Sequence, residues 1–197
     1  MRICVYGSSS TELNEKIIST TEELGRLIAE AGHGVVYGGG AQGVMGAAAR
    51  GARSAGGELI GVAPDFFDVD GVLFQDCTDF IFTKTMRERK QIMEDLSDAF
   101  IVCPGGVGTF EEFFEILTLK QLSRHNKAMV MLDVDGYYKP MMQMFKCSIE
   151  NGFIKPACLS LFYVTDDPAK AIEYIENYVP QEIRIKNLRY DGGEEEK

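Results

Sequence analysis

The segment VCPGGVGTFEEFFE, residues 102–115, sets a glycine loop directly before three carboxylates. Glycine has no Cβ, so its N–H groups can approach a ligand closely. A helix start adds unpaired N–H donors and partial positive charge. Gly105, Gly106, Gly108 and Thr109 have both properties if a helix follows over 110–123. A second glycine stretch, YGGGAQG, contains Gly39 and Gly40 and leads into the helical pattern GVMGAAARGARSA. Two such loops suit a nucleotide or a sugar phosphate. Tight strand-to-helix turns would have the same composition.

Glu112 has two readings. With Thr109 as N-cap, TFEE is a capping box in which Glu112 reaches back to the Thr109 N–H. On the helical wheel, however, Phe110, Phe113, Phe114 and Leu117 form the apolar stripe. Glu112 lies beside Ile116 and Leu119, in a partly apolar setting. Glu111 and Glu115 fall on a polar flank. Among the three acids, Glu112 is therefore the candidate for chemistry.

Arg89 stands in TKTMRERKQIMEDL, whose helical apolar face is Met86, Ile92, Met93 and Leu96. At 100° per residue Arg89 points into that face, and Arg87 points away from it. An inward arginine is costly unless it meets an anion or a carboxylate. Arg89 is thus expected to meet a ligand or to form a buried ion pair, with Glu112 as a partner within reach. Lys90 lies at the border of the face. His33 and His125 read as helix-end residues, and Cys103 as a strand residue. Ser8 and Ser9, after the first apolar run, are suited to a phosphate, a base or their own turn.

The elements that must position these groups alternate. Short β-branched runs are expected as strands at 2–6, 34–38, 58–63, 79–83, 99–103, 128–133 and 161–165, with helical patterns between most of them. That pattern means an α/β fold, a single domain with a mostly parallel central sheet and helices on both faces. Ligands of such sheets bind beyond the carboxyl ends of the strands. The loops YGSSS, YGGGAQG and CPGGVGT should open on that one edge.

Composition narrows the function classes. The 197 residues suffice for one domain, residues 1–180, followed by an acidic tail, 181–197. A formal charge of −10 argues against polymeric nucleic acid and anionic membrane as partners. The basic cluster KTMRERK still permits a small anionic substrate. No apolar run reaches the roughly 20 residues of a spanning helix. The start, MRICVYGSSS, lacks the pattern of a secretory signal. A cytoplasmic location is expected. Five widely spaced cysteines with no C-x-x-C point to reduced thiols, not to disulfides or zinc.

These motifs also carry a resemblance. PGGVGTFEE matches the P-G-G-x-G-T-x-x-E signature of the LONELY GUY (LOG) family of cytokinin riboside 5'-monophosphate phosphoribohydrolases. MRERK resembles the family's M-x-x-R-K element. VYGSSS, VYGGGAQGVMG and LDVDGYYKPM…NGFI resemble further segments, so the likeness runs over roughly residues 2–178. It implies a Rossmann-like fold, a homodimer or larger homo-oligomer, and no cofactor or metal. It also implies cleavage of the N-glycosidic bond of an adenosine-type 5'-monophosphate to free base and ribose 5-phosphate. The essential arginine and glutamate fall on Arg89 and Glu112. Expected substrate contacts are Ser8, Ser9, Gly39, Gly40, Met86, Lys90, Pro104, Gly105, Gly106, Val107, Gly108 and Thr109. Two departures bear on base preference and assembly: AQGVMG replaces the common S-V-G-L-M-G, and Arg87 stands where histidine is common. Two other functions fit parts of the pattern. One is a non-catalytic nucleotide or cofactor carrier. The other is a dinucleotide oxidoreductase using the G-x-G-x-x-G match in GGGAQG.

Overall fold

The structure, a computed structural model, describes residues 1–180; the acidic tail at 181–197 lies outside the described residues. Seven strands form one sheet in the order β4-β3-β2-β1-β5-β6-β7. They are β1 (Arg2–Tyr6), β2 (Gly34–Tyr37), β3 (Leu59–Pro64), β4 (Asp79–Thr83), β5 (Ala99–Val102), β6 (Ala128–Leu132) and β7 (Tyr163–Thr165). Every pairing between them is parallel. All seven expected strands are present. The last begins at Tyr163, because 156–161 winds into a 3-10 helix that starts at Pro156. The strands at β2, β5 and β6 each stop a residue short of the expected end, so Gly38, Cys103 and Asp133 belong to the loops.

Burial on both faces explains the continuous apolar runs. Ile3 and Val5 face one side, where α1 (Glu15–Glu30), α2 (Gly43–Ser54) and α6 (Pro168–Glu176) pack. Cys4 and Tyr6 face the other, under α3 (Met86–Leu96), α4 (Val107–Gln121) and α5 (Lys139–Glu150). The two-residue period of the strand thus supplies both cores. On one side α1 and α2 come close enough that a Cβ on Gly25 would stand 2.1 Å from Ala48 O.

The order of strands places the site. From β1 the chain builds outward through β2, β3 and β4, then crosses back to lay β5 against the other edge of β1. The connections after β1 and β5 therefore leave in opposite directions, and a crevice opens between their carboxyl ends.

Candidate active site

A cavity of about 540 Å³ occupies that crevice. The loop after β1 contributes Gly7, Ser8 and Ser9, the loop after β2 contributes Gly38, Gly40 and Gln42, and the loop after β5 contributes Gly106. All three glycine loops open on one edge, as the alternation of elements predicts. Met86, Arg89, Gly108, Thr109 and Glu112 also line the cavity. Of the other residues expected to touch substrate, Gly39, Pro104 and Gly105 are buried behind this lining, Lys90 is half-buried outside it, and Val107 is exposed to solvent and does not line the cavity. Gly39 packs towards Phe80, the nearest neighbour a Cβ there would meet. Lys90 is turned aside by Glu111 and by Glu115, the latter 2.7 Å away.

The helix after the PGG loop starts earlier than its sequence pattern indicates. Gly106 is the N-cap, with extended φ −94° and ψ −152°, and α4 begins at Val107. Thr109 is consequently inside the first turn, and Glu112 lies more than a turn into the helix. The expected capping box does not form. The Thr109 hydroxyl instead folds back on Gly105, where an added Cβ would stand 2.1 Å from it. Gly106 has no side chain to cap α4, and Gln42 makes no capping bond to α2. Helices α1, α3 and α6 are capped by Asn14, Thr85 and Asp167. The start of α4 thus keeps N–H donors that an anion can use, whereas at the start of α2 the Met45 N–H donates to Ser8 O at 3.2 Å.

Glu112 uses its carboxylate on Arg89. The guanidinium donates to Glu112 Oε1 at 2.9 Å and, through Nε, to Val62 O at 3.1 Å. Arg89 is 6% exposed and Glu112 8%, so this is a buried ion pair with one face on the cavity. Arg87 is exposed, on the opposite side of α3. The helical wheel separates the two arginines correctly because α3 packs its apolar face on β3. Burial raises the Glu112 carboxyl above its ordinary value, against the pull of Arg89 towards ionisation.

Space for Arg89 is left by a glycine. A Cβ on Gly38 would stand 2.1 Å from Arg89 Nη2 and 2.9 Å from Met45 Sδ. Gly38→Ala should therefore displace the guanidinium and lower catalytic rate by about a hundredfold, the scale of an ångström-size misplacement. Initial rates with saturating substrate check this, with the circular dichroism of the variant expected to stay native.

The sequence gives no sign of several other lining residues. Phe67, Gly71, Val72 and Leu73 come from the irregular segment between β3 and β4. This segment is tied across the second glycine loop by Ala41 N–H to Val72 O and Phe74 N–H to Gly39 O, each 2.9 Å. Gly7, Gln42, Met45 and Glu111 complete the wall. Cys103 is fully buried and its thiol is pushed up to about 12, which leaves it inert. His125 is held by Ile116 O at 2.8 Å, and burial lowers its pKa. His33 faces Glu176 at 3.1 Å. Neither histidine lines the cavity.

Another depression, of about 650 Å³, opens at the opposite edge of the sheet, around Arg2, His33, Glu58 and Asp98. Its principal charges satisfy each other, Arg2 with Glu58 at 2.8 Å, and none of the glycine loops after β1, β2 and β5 reaches it. Among the described residues no group of three or more His, Cys, Asp or Glu is arranged to hold a metal ion. No described helix is long and apolar enough to cross a membrane.

The model of a family described as "Possible lysine decarboxylase" matches residues 45–175, well over half of the chain. The chain belongs to this family, the LOG family. Among LOG relatives, a cytokinin riboside 5'-monophosphate phosphoribohydrolase of Rhodococcoides fascians is 40% identical over 79% of each chain. One of Mycobacterium tuberculosis is 37% identical over 86% of this chain and 90% of its own. A solved molybdenum cofactor carrier protein from Chlamydomonas reinhardtii is 28% identical, with a TM-score of 0.67 over 89% of this chain and 94% of its own. The carrier thus shares the fold described above.

Proposed function

We propose that this LOG-family chain is a hydrolase that cleaves the N-glycosidic bond of adenosine-type, cytokinin riboside 5'-monophosphates. The products are free base and ribose 5-phosphate. The observation that carries this reading is the buried Arg89–Glu112 pair facing a cavity framed by three glycine loops. The relatives' activity supports it. The uncapped start of α4 holds the 5'-phosphate, through Gly106, Gly108 and Thr109. Ser8, Ser9 and Gly40 line the cavity beside it. Glu112, as a carboxylate, stabilises the oxocarbenium-like transition state at C1' and orients the attacking water. Arg89 fixes that carboxylate and offsets the negative charge of the substrate. Met45, Phe67, Val72, Leu73 and Met86 offer apolar surface to the base. The protein acts in the cytoplasm as a homodimer, an assembly that sedimentation would test.

Phosphate binding at a distance from C1' supplies energy used at the reacting carbon. Adenosine should therefore react with a kcat/KM at least about a hundredfold below that of adenosine 5'-monophosphate. Chromatography of released adenine from the two substrates tests this; equal values would remove the phosphate from the mechanism. The acid limb of the rate profile should also lie above the usual glutamate value of about 4.3, because burial raises Glu112.

The carrier similarity favours a second reading, in which the same cavity holds a ligand without turnover. Tight binding with no base release would favour it. No lysine is among the residues lining the cavity, so an imine-forming decarboxylase has no amine to use there.

A further inference from the structure

Three successive carbonyls at the PGG loop are held by two segments, the turn at Tyr137 and Tyr138 and the loop after β1. Tyr138 donates its hydroxyl to Cys103 O at 2.7 Å, and Tyr137 donates to Gly105 O at 2.6 Å. Between them, the Ser8 N–H donates to Pro104 O at 3.3 Å. Tyr138 is also a core side chain, 1% exposed. Tyr137 is different: it is 42% exposed, so its ring gives little to the core, yet its hydroxyl makes the shorter of the two bonds. It does not line the cavity.

Peptide geometry gives that bond a consequence. In a trans peptide the carbonyl of one residue and the N–H of the next point in opposite directions. The described chain contains no cis peptide. Holding Gly105 O on the outer side of the loop therefore turns the Gly106 N–H the other way, and Gly106 lines the cavity. The loop has no steric lock of its own there, since nothing lies within 4 Å of where a Gly106 Cβ would stand. The turn that delivers Tyr137 is itself well fixed. Asp135 and Gly136 adopt left-handed φ of 56° and 74°, Asp133 accepts the Tyr138 N–H at 2.6 Å, and Lys16 pairs with Asp135.

We propose that Tyr137 is a positioning residue for phosphate recognition: through Gly105 O it aims the Gly106 N–H at the 5'-phosphate of the substrate. This rests on the hydrolase reading for the identity of the ligand. The test is Tyr137→Phe, which removes one oxygen from a half-exposed side chain. KM for adenosine 5'-monophosphate should rise about tenfold, the scale of one hydrogen bond to a charged group. Inhibition by ribose 5-phosphate should weaken by the same factor. Residual cleavage of adenosine, which lacks the phosphate, should change by no more than about twofold. A merely structural tyrosine would instead lower kcat on both substrates.

A binding measurement separates this inference from the hydrolase reading. In ¹⁵N-labelled wild type, ribose 5-phosphate should shift the Gly106 amide resonance, and Tyr137→Phe should lose that shift at the same concentration. An unshifted Gly106 amide in wild type, or an equal shift in the variant, would overturn the positioning role. If the shift is seen and depends on Tyr137, while wild type releases no base, the positioning role stands and the hydrolase reading falls.

Discussion

Glu112→Gln should lower base release at least about a thousandfold while the protein stays folded. Glutamine keeps the length of the side chain and an oxygen that can accept from Arg89 Nη1, 2.9 Å from the present carboxylate. It cannot carry the negative charge that an oxocarbenium-like transition state requires. Because α4 starts at Val107, Glu112 plays no part in capping the helix, so the substitution does not remove a cap. Loss of activity with a native circular dichroism spectrum would assign the carboxylate its chemical role. A variant with wild-type turnover would confine Glu112 to pairing with Arg89.

Arg89→Met should abolish activity and also destabilise the fold by about 3 kcal/mol, because it strands a buried carboxylate. Two bonds are lost, to Glu112 and to Val62 O. The deficit should depend on pH in a defined direction. Burial already raises Glu112 in the wild type, with Arg89 holding it down. Without Arg89 the folded-state value rises further above the unfolded value of about 4.3. The folded variant then binds more protons than the unfolded chain as pH climbs through this interval, so its stability falls. Denaturant unfolding at pH 5 and pH 8 should show the larger deficit at pH 8. Adding Glu112→Gln to Arg89→Met should recover part of it, since the stranded charge is gone. A deficit that is equal at both pH values and unrelieved by the second substitution would mean that Arg89 acts through packing alone.

The residues that proved legible in the sequence are those governed by period and local chemistry. Strands buried on both faces read as β-branched runs, and the parallel sheet followed from their alternation with helices. Arg89 and Arg87 are two positions apart, and two steps of about 100° each are enough to send one inward and one to solvent. The pairing of Arg89 with Glu112 was within reach because both helices start at the same edge of the sheet. Where the reading failed, the reason was a competing local geometry. At the PGG loop, Gly106 takes the N-cap conformation that Thr109 seemed suited to, and α4 gains a further turn. The wall formed by Phe67, Val72 and Leu73 has no periodicity to read, being placed by backbone bonds to Gly39 and Ala41 across 30 or more positions in the chain. Gly38 looks like any turn glycine until the guanidinium of Arg89 is seen in the space its side chain would fill. Lys120 is hidden for a similar reason. Its stem is buried, and its amine is taken by Lys127 O at 2.8 Å, beside the ring of Tyr178. Burial lowers that amine to about 8.

The central claim is that the cavity between β1 and β5 hydrolyses an N-glycosidic bond with Glu112 as its carboxylate. It is tested most directly by incubating wild type and Glu112→Gln with adenosine 5'-monophosphate and with isopentenyladenosine 5'-monophosphate, and quantifying base and ribose 5-phosphate by chromatography. The expected result is equimolar base and ribose 5-phosphate from wild type with at least one of the two nucleotides, and neither product from the folded variant. Intact nucleotide after prolonged incubation with wild type, or equal product from wild type and variant, would contradict it.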